Sequence, residues 1–136
     1  LAPATKKKSD SAIWLTSFAA AQQQAKAAGK YILMDFTGSD WCPWCMRLDS
    51  EILATPEFRE FADKHLVLVK VDFPRHHSQS AAEQTQNEQL AAQFQVQGYP
   101  TLVVLNPDSH ELGTLGYMSG GPKTFIDELV KLIAGS

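Results

Sequence analysis

Apolar residues recur along this chain in two periods, and the switches between them predict the order of elements. From Ser11 to Ala28, Ile13, Trp14, Phe18, Ala21 and Ala25 fall at helical spacing among Ala, Gln and Lys, which are good helix formers. Asp10 or Ser11 would cap this helix, Gly29 would end it, and Trp14 and Phe18 would anchor it in the core. Tyr31-Ile32-Leu33-Met34 with Phe36 suits a buried strand, and Cys42 then opens a helical pattern through Met46, Leu48, Ile52 and Leu53. Thr55-Pro56-Glu57 restarts a helix with Phe58 and Phe61 on one side. Leu66-Val67-Leu68-Val69-Lys70-Val71-Asp72 is a continuous apolar run of the kind buried on both faces.

The polar stretch from Phe73 to Gln86 reads as a long loop with at most one helical turn from Ser80, followed by a short capped helix over Asn87–Phe94. Thr101–Leu105 is a second buried strand, Asn106-Pro107-Asp108-Ser109 a turn, and Glu111–Gly116 an antiparallel return. Gly120-Gly121-Pro122 breaks the chain before an amphipathic helix that buries Phe125, Ile126, Leu129, Val130 and Ile133. The order is β-α-β-α-β-β-α preceded by one more helix. It predicts an α/β fold, a central mixed sheet of four or five strands with helices on both faces. Residues 1–10 read as a flexible lead-in and 11–136 as one domain, without internal repeats.

Bulk properties narrow the function. The 136 residues suffice for one ordinary core, and 44% hydrophobic with 20% charged residues indicates a globular chain. A net charge of −3 supplies no footprint for nucleic acid, Lys6-Lys7-Lys8 being the only basic run. No apolar stretch approaches the about 20 residues needed to span a bilayer, so the protein is not expected to be membrane-embedded. The chain opens Leu1-Ala2-Pro3-Ala4, and the Pro, Ala, Thr, Lys and Ser there read as the linker after a removed secretion signal.

Chemistry concentrates between Asp35 and Cys45. The two cysteines are spaced Cys-x-x-Cys, a loop too short to constrain the unfolded chain much, which points to a redox pair and not a staple. Cys42 would sit where a strand meets a helix. Unpartnered first-turn N–H groups and the positive end of the helix dipole favour its thiolate there. Pro43 suits the first helical position. Cys45, a turn further in and more buried than an exposed Cys42, would act second. Asp35 lies in an apolar strand, where burial raises a carboxyl pKa toward the range useful for proton transfer; it either accepts the Cys45 proton or is an ion-paired core carboxylate. Trp41 and Trp44 flank the nucleophile as apolar surface for a flexible polypeptide, or Trp41 only packs. Asp40 reads as solvated. His76 and His77 lack a third and fourth ligand at a recognisable spacing, so neither a metal nor another cofactor is expected.

The ordered landmarks Trp41-Cys42-Pro43-Trp44-Cys45, Lys70-Val71-Asp72, Tyr99-Pro100-Thr101 and Gly120-Gly121-Pro122 resemble the thioredoxin superfamily over about Trp14 to Ile133. The particular likeness is to bacterial thioredoxin-like proteins with the stretch DFTGSDWC-x-x-C, many of them exported. The resemblance implies a thioredoxin fold, a lysine at Lys70 near Asp35 behind the active site, and a cis Tyr99–Pro100 bond facing the cysteines. Lys70 could instead snorkel to the surface. The Tyr99 backbone would then pair with an extended substrate. Thr37-Gly38-Ser39-Asp40-Trp41 is one residue longer than the matching turn of small thioredoxins. The implied activity is disulfide exchange on protein or peptide substrates, most simply as a periplasmic, monomeric reductase recharged by a membrane or soluble electron donor. Isomerase or oxidase action, a binding module or chaperone without redox turnover, and a Cys/His metal carrier are the alternatives.

Overall fold

The computed structural model describes residues 12–135; the lead-in, the Asp10 and Ser11 caps and the Lys6–Lys8 run lie outside the described residues. Its elements are β1 (Trp14–Leu15), α1 (Phe18–Ala28), β2 (Tyr31–Thr37), α2 (Pro43–Leu48), a π-helical turn (Asp49–Leu53) and α3 (Pro56–His65). They continue with β3 (Leu66–Asp72), α4 (Ala81–Gln93), β4 (Thr101–Leu105), β5 (Glu111–Leu115) and α5 (Gly121–Ala134). The five strands lie in the order β1-β3-β2-β4-β5. β2 pairs parallel with β3 and antiparallel with β4, so the sheet is mixed.

β2, β3 and β4 are buried on both faces, and the period of two divides their side chains between two cores. Leu33, Leu68, Leu102 and Val104 join Leu48, Ile52, Phe58, Phe125 and Leu129 on one side. Ile32, Met34, Phe36, Val67, Val69 and Val103 join Ala21, Ala25 and Leu90 on the other. By the same alternation Asp35 shares a face with Leu33, and Lys70 with Leu68. The two are register partners across the β2–β3 ladder.

Three expectations are corrected, one of them briefly: Val130 is exposed and does not lie on the buried side of α5 with Phe125 and Leu129. The first helix starts later than expected: Trp14 and Leu15 form a strand beside Leu68 and Val69 of β3, and Ser17 caps a helix that starts at Phe18. Bulky Trp and Leu gain more as a strand along the open edge of β3 than in a helical first turn, and the Ser17 hydroxyl accepts the Ala20 N–H at 3.1 Å. Trp14 still packs against the first core cluster. The helix expected over Asn87–Phe94 instead begins at Ala81, capped by Ser80. Its first turns are exposed Ala, Glu and Gln, helix formers with no apolar stripe to announce them. Gly29 ends α1 at φ 68°, as expected.

Asn87 is fully buried, and its Nδ2 donates to the Asp72 carbonyl at 3.0 Å, fixing α4 to the end of β3. Replacing Asn87 with Ala is expected to cost about 1–3 kcal/mol of stability, measured by denaturant unfolding, because a buried bond and packing volume are lost together.

Candidate functional site

Cys42 is the N-cap of α2. Its sulfur accepts the Cys45 N–H at 3.2 Å, Pro43 occupies the first turn, and the two cysteines are disulfide-bonded with Cα atoms 5.3 Å apart. The expected contrast between an exposed Cys42 and a buried Cys45 is corrected, since each residue is only 5% exposed. Cys42 is covered from the opposite side: Tyr99–Pro100 is a cis peptide, and the Tyr99 carbonyl oxygen lies 3.9 Å from the Cys42 sulfur.

The turn before Cys42 is tied down. Gly38 accepts the N–H groups of Trp41 and Cys42, and a Cβ on Gly38 would collide with the Trp41 indole. That indole has no room to yield, because its Nε1–H donates to the Phe73 carbonyl at 2.7 Å and it packs edge-on to Tyr99. Ser39 donates through both its N–H and its hydroxyl to the Asp72 carboxylate. Asp40 is not merely solvated. Its carboxylate accepts the Arg75 N–H at 3.0 Å and the His76 N–H at 2.8 Å, and lies 2.9 Å from the His77 ring. These contacts, the Arg75 N–H foremost, hold its carboxyl below the usual range.

Behind the disulfide a cleft of about 170 Å³ is lined by Asp35, Thr37, Ser39, Cys45, Met46, Asp49 and Lys70. Asp35 is 5% exposed, and its Oδ1 has no hydrogen-bonding partner in the protein. Burial pushes its pKa up to about 7; the Lys70 charge opposes the rise, and the carboxylates of Asp49 and Asp72 add to it. Lys70 is half-buried and lines the same cleft, so it does not simply run out to solvent.

On the outer side Trp44 is 51% exposed and tilts against Tyr117. Arg47 lies 5.1 Å from the Trp44 ring and 5.2 Å from the Tyr117 ring, and Glu51 accepts from both Arg47 and the Tyr117 hydroxyl. The structure therefore brings together Cys42, Cys45, Asp35, Lys70, Trp41, Pro43, Trp44, Tyr99 and Pro100. Sequence reasoning missed Arg47, Asp49, Asp72, Arg75 and Tyr117. Only Asp49 and Asp72, close in sequence to α2 and Lys70, carried a local signal. Among the described residues no three His, Cys, Asp or Glu side chains converge as a metal set.

Comparison with known proteins agrees with this geometry. Residues 18–133 match the family described as thioredoxin-like domain. The chain belongs to the thioredoxin-like family. It is 37% identical over 113 residues to "Disulfide bond reductase DsbH" of Chlamydia pneumoniae, a match covering 83% of this chain and 68% of that protein. It is 31% identical over 116 residues to "Thioredoxin-related protein DsbJ" of the same organism, but spans only 33% of it. A solved structure titled "DsbH Oxidoreductase" superposes with a TM-score of 0.87 at 35% identity, over 91% of this chain and 85% of that one. A thioredoxin from Thermus thermophilus shares the fold, with a TM-score of 0.67 at 23% identity over 90% and 88% of the two chains. Family and cysteine pair together make this thioredoxin-like protein a thiol–disulfide oxidoreductase.

The raised pKa of Asp35 has a stability signature. Its carboxyl binds a proton more tightly folded (about 7) than unfolded (3.8), so its favourable contribution is complete below about pH 4 and is lost as pH rises through 7. Asp35→Asn, neutral at every pH, is expected to match the parent near pH 4 and to exceed it by up to about 4 kcal/mol at pH 8, read by denaturant unfolding at both values.

Proposed function

We propose that this thioredoxin-like protein works as a reductase of protein disulfides, with Cys42 as nucleophile and Cys45 as resolving thiol. In the dithiol form the Cys42 thiolate attacks one sulfur of a substrate disulfide, and the other substrate sulfur leaves as a thiolate and takes up a proton. Cys45 gives its proton to Asp35 across the cleft, attacks the Cys42 sulfur, closes the disulfide and expels the second substrate thiol. A carboxyl titrating near 7 is matched to that transfer at neutral pH, and Lys70 keeps it from rising further. The Tyr99 backbone beside cis Pro100 offers an extended substrate strand-like pairing, and Trp41 and Trp44 flank it.

The observation that carries the direction is how many acceptors and acids surround the sulfurs, against the single helix N-terminus that favours a Cys42 thiolate. Among the described residues the Cys42 sulfur receives one N–H, from Cys45, and faces the Tyr99 carbonyl oxygen, which offers a thiolate no proton. Asp35 and Asp49 line the cleft behind Cys45, with Asp72 close enough to raise the Asp35 pKa. Surroundings that disfavour thiolates favour the disulfide, which makes the dithiol a donor of electrons. The 37% identity to a protein named disulfide bond reductase supports the same direction. The resemblance to exported relatives supports action outside the cytoplasm, with a thiol electron donor restoring the dithiol.

Two measurements test this. The Cys42–Cys45 couple is expected near the reducing end of the family range, about −270 mV, and a value close to the about −120 mV of strong oxidants would reverse the assignment. Cys45→Ser is expected to accumulate a covalent complex with a disulfide-bonded polypeptide, visible as a dithiothreitol-sensitive band on non-reducing gels. Cys42→Ser should form none.

A further inference from the structure

The segment from Phe73 to Gln79 joins β3 to α4 and folds back over the active-site turn. Phe73 packs tilted against Tyr99 with ring centroids 5.3 Å apart, and its carbonyl holds the Trp41 indole. Two residues on, the Arg75 guanidinium lies over the Trp41 ring, 3.7 Å from its centroid. The strap is held there by Asp40, two residues before Cys42, which accepts the backbone N–H groups of Arg75 and His76 and contacts the His77 ring. Three donors thus converge on one carboxylate, and none of them is the Arg75 side chain.

The chain has three arginines. Arg47 is paired with Glu51 and Arg59 with Asp63, whereas the Arg75 guanidinium has no carboxylate partner among the described residues. It is exposed, and one flat face is covered by an indole. A stacked guanidinium keeps its in-plane N–H groups free, and these match a carboxylate in geometry and charge. The ring beneath it belongs to the residue that immediately precedes Cys42, on the side where Tyr99 faces the sulfur. In a protein of net charge −3, this is a local cation set at the rim of the cysteine pair.

We infer that Arg75, placed by the Asp40-tied strap and stacked on Trp41, determines specificity by pairing with a carboxylate that lies within a residue or two of the attacked cysteine in a polypeptide disulfide. The inference rests on the reductase reading and names the substrate class within it. Arg75 selects among substrates; the sulfur chemistry stays with Cys42 and Cys45. Asp40 is a positioning residue that acts through Arg75.

The test uses three capped peptide disulfides, identical except for Glu, Gln or Lys beside the attacked cysteine. They are mixed with the chemically reduced protein, and the single turnover is followed by tryptophan fluorescence. The expected order is Glu, then Gln, then Lys, with the half-saturating concentration rising about threefold to fivefold from Glu to Gln, the size of an exposed ion pair. Added salt should shrink the difference. Arg75→Ala should level the three peptides, Arg75→Glu should reverse their order, and Asp40→Asn should weaken the preference without reversing it. Equal treatment of the peptides by the parent protein, or a preference for Glu that survives in Arg75→Glu, overturns the inference while leaving the reductase reading intact. Failure of the reduced protein to exchange with any of the peptides overturns the reductase reading, and the inference falls with it.

Discussion

A carboxyl group forced into the apolar end of a central strand is the constraint on which this structure turns. Asp35 cannot be moved to the surface without moving Leu33 and Phe36 as well, because side-chain direction alternates strictly along β2 and both faces of that strand are covered. Its position therefore places a proton-binding group beneath the N-terminus of α2, where Cys45 turns inward. The adjacent strand answers with Lys70 at the same register, and the second and third carboxylates of the neighbourhood, Asp49 and Asp72, stand close enough to counter it. The acid is thus poised between a low-dielectric burial that keeps it protonated and one cation that draws the proton off.

The opposite side of the cysteine pair is built from different forces. There the rings of Trp41, Tyr99 and Phe73 touch in series, and hydrogen bonds from the turn and the strap to Asp72 and Asp40 keep them in place. Around Trp44 a second set of contacts, from Arg47, Tyr117 and Glu51, does the same for an exposed ring. Each of these two tryptophans carries a guanidinium, and each guanidinium or its backbone is restrained by a carboxylate. Held rings lose less freedom when a chain settles against them than free ones would.

Much of this was legible in the chain itself, for reasons that can be named. β2, β3 and β4 are covered on both faces, so their apolar runs are long, and Asp35 and Lys70 stand out as charges within them. The Cys-x-x-Cys spacing fixes a small ring whatever surrounds it. What escaped was set by contacts between distant residues. Trp14 and Leu15 became a strand because β3 had an open edge, which no local period reveals. The start of α4 is polar all round and so imitates a loop. Tyr117 reaches Glu51 across 66 positions, and Arg75 reaches back to Trp41 from the far end of β3, so neither partnership leaves a mark in sequence spacing. The concealment of Cys42 likewise depends on Tyr99, which arrives from another part of the chain.

The widened turn over Asp49–Leu53 bears on how the fold tolerates changes of chain length. Its bond from the Ala54 N–H back to the Asp49 carbonyl, 2.8 Å, spans five residues in place of four. The extra residue is taken up inside the turn, so the helix before it and the core residues Ile52 and Leu53 both keep their seats although the count between them is one longer. The surplus residue works as a phase adjuster between the redox end of the helix and its anchoring end. A chain shorter by that one residue would close the turn into a regular spiral and still present both ends to their partners.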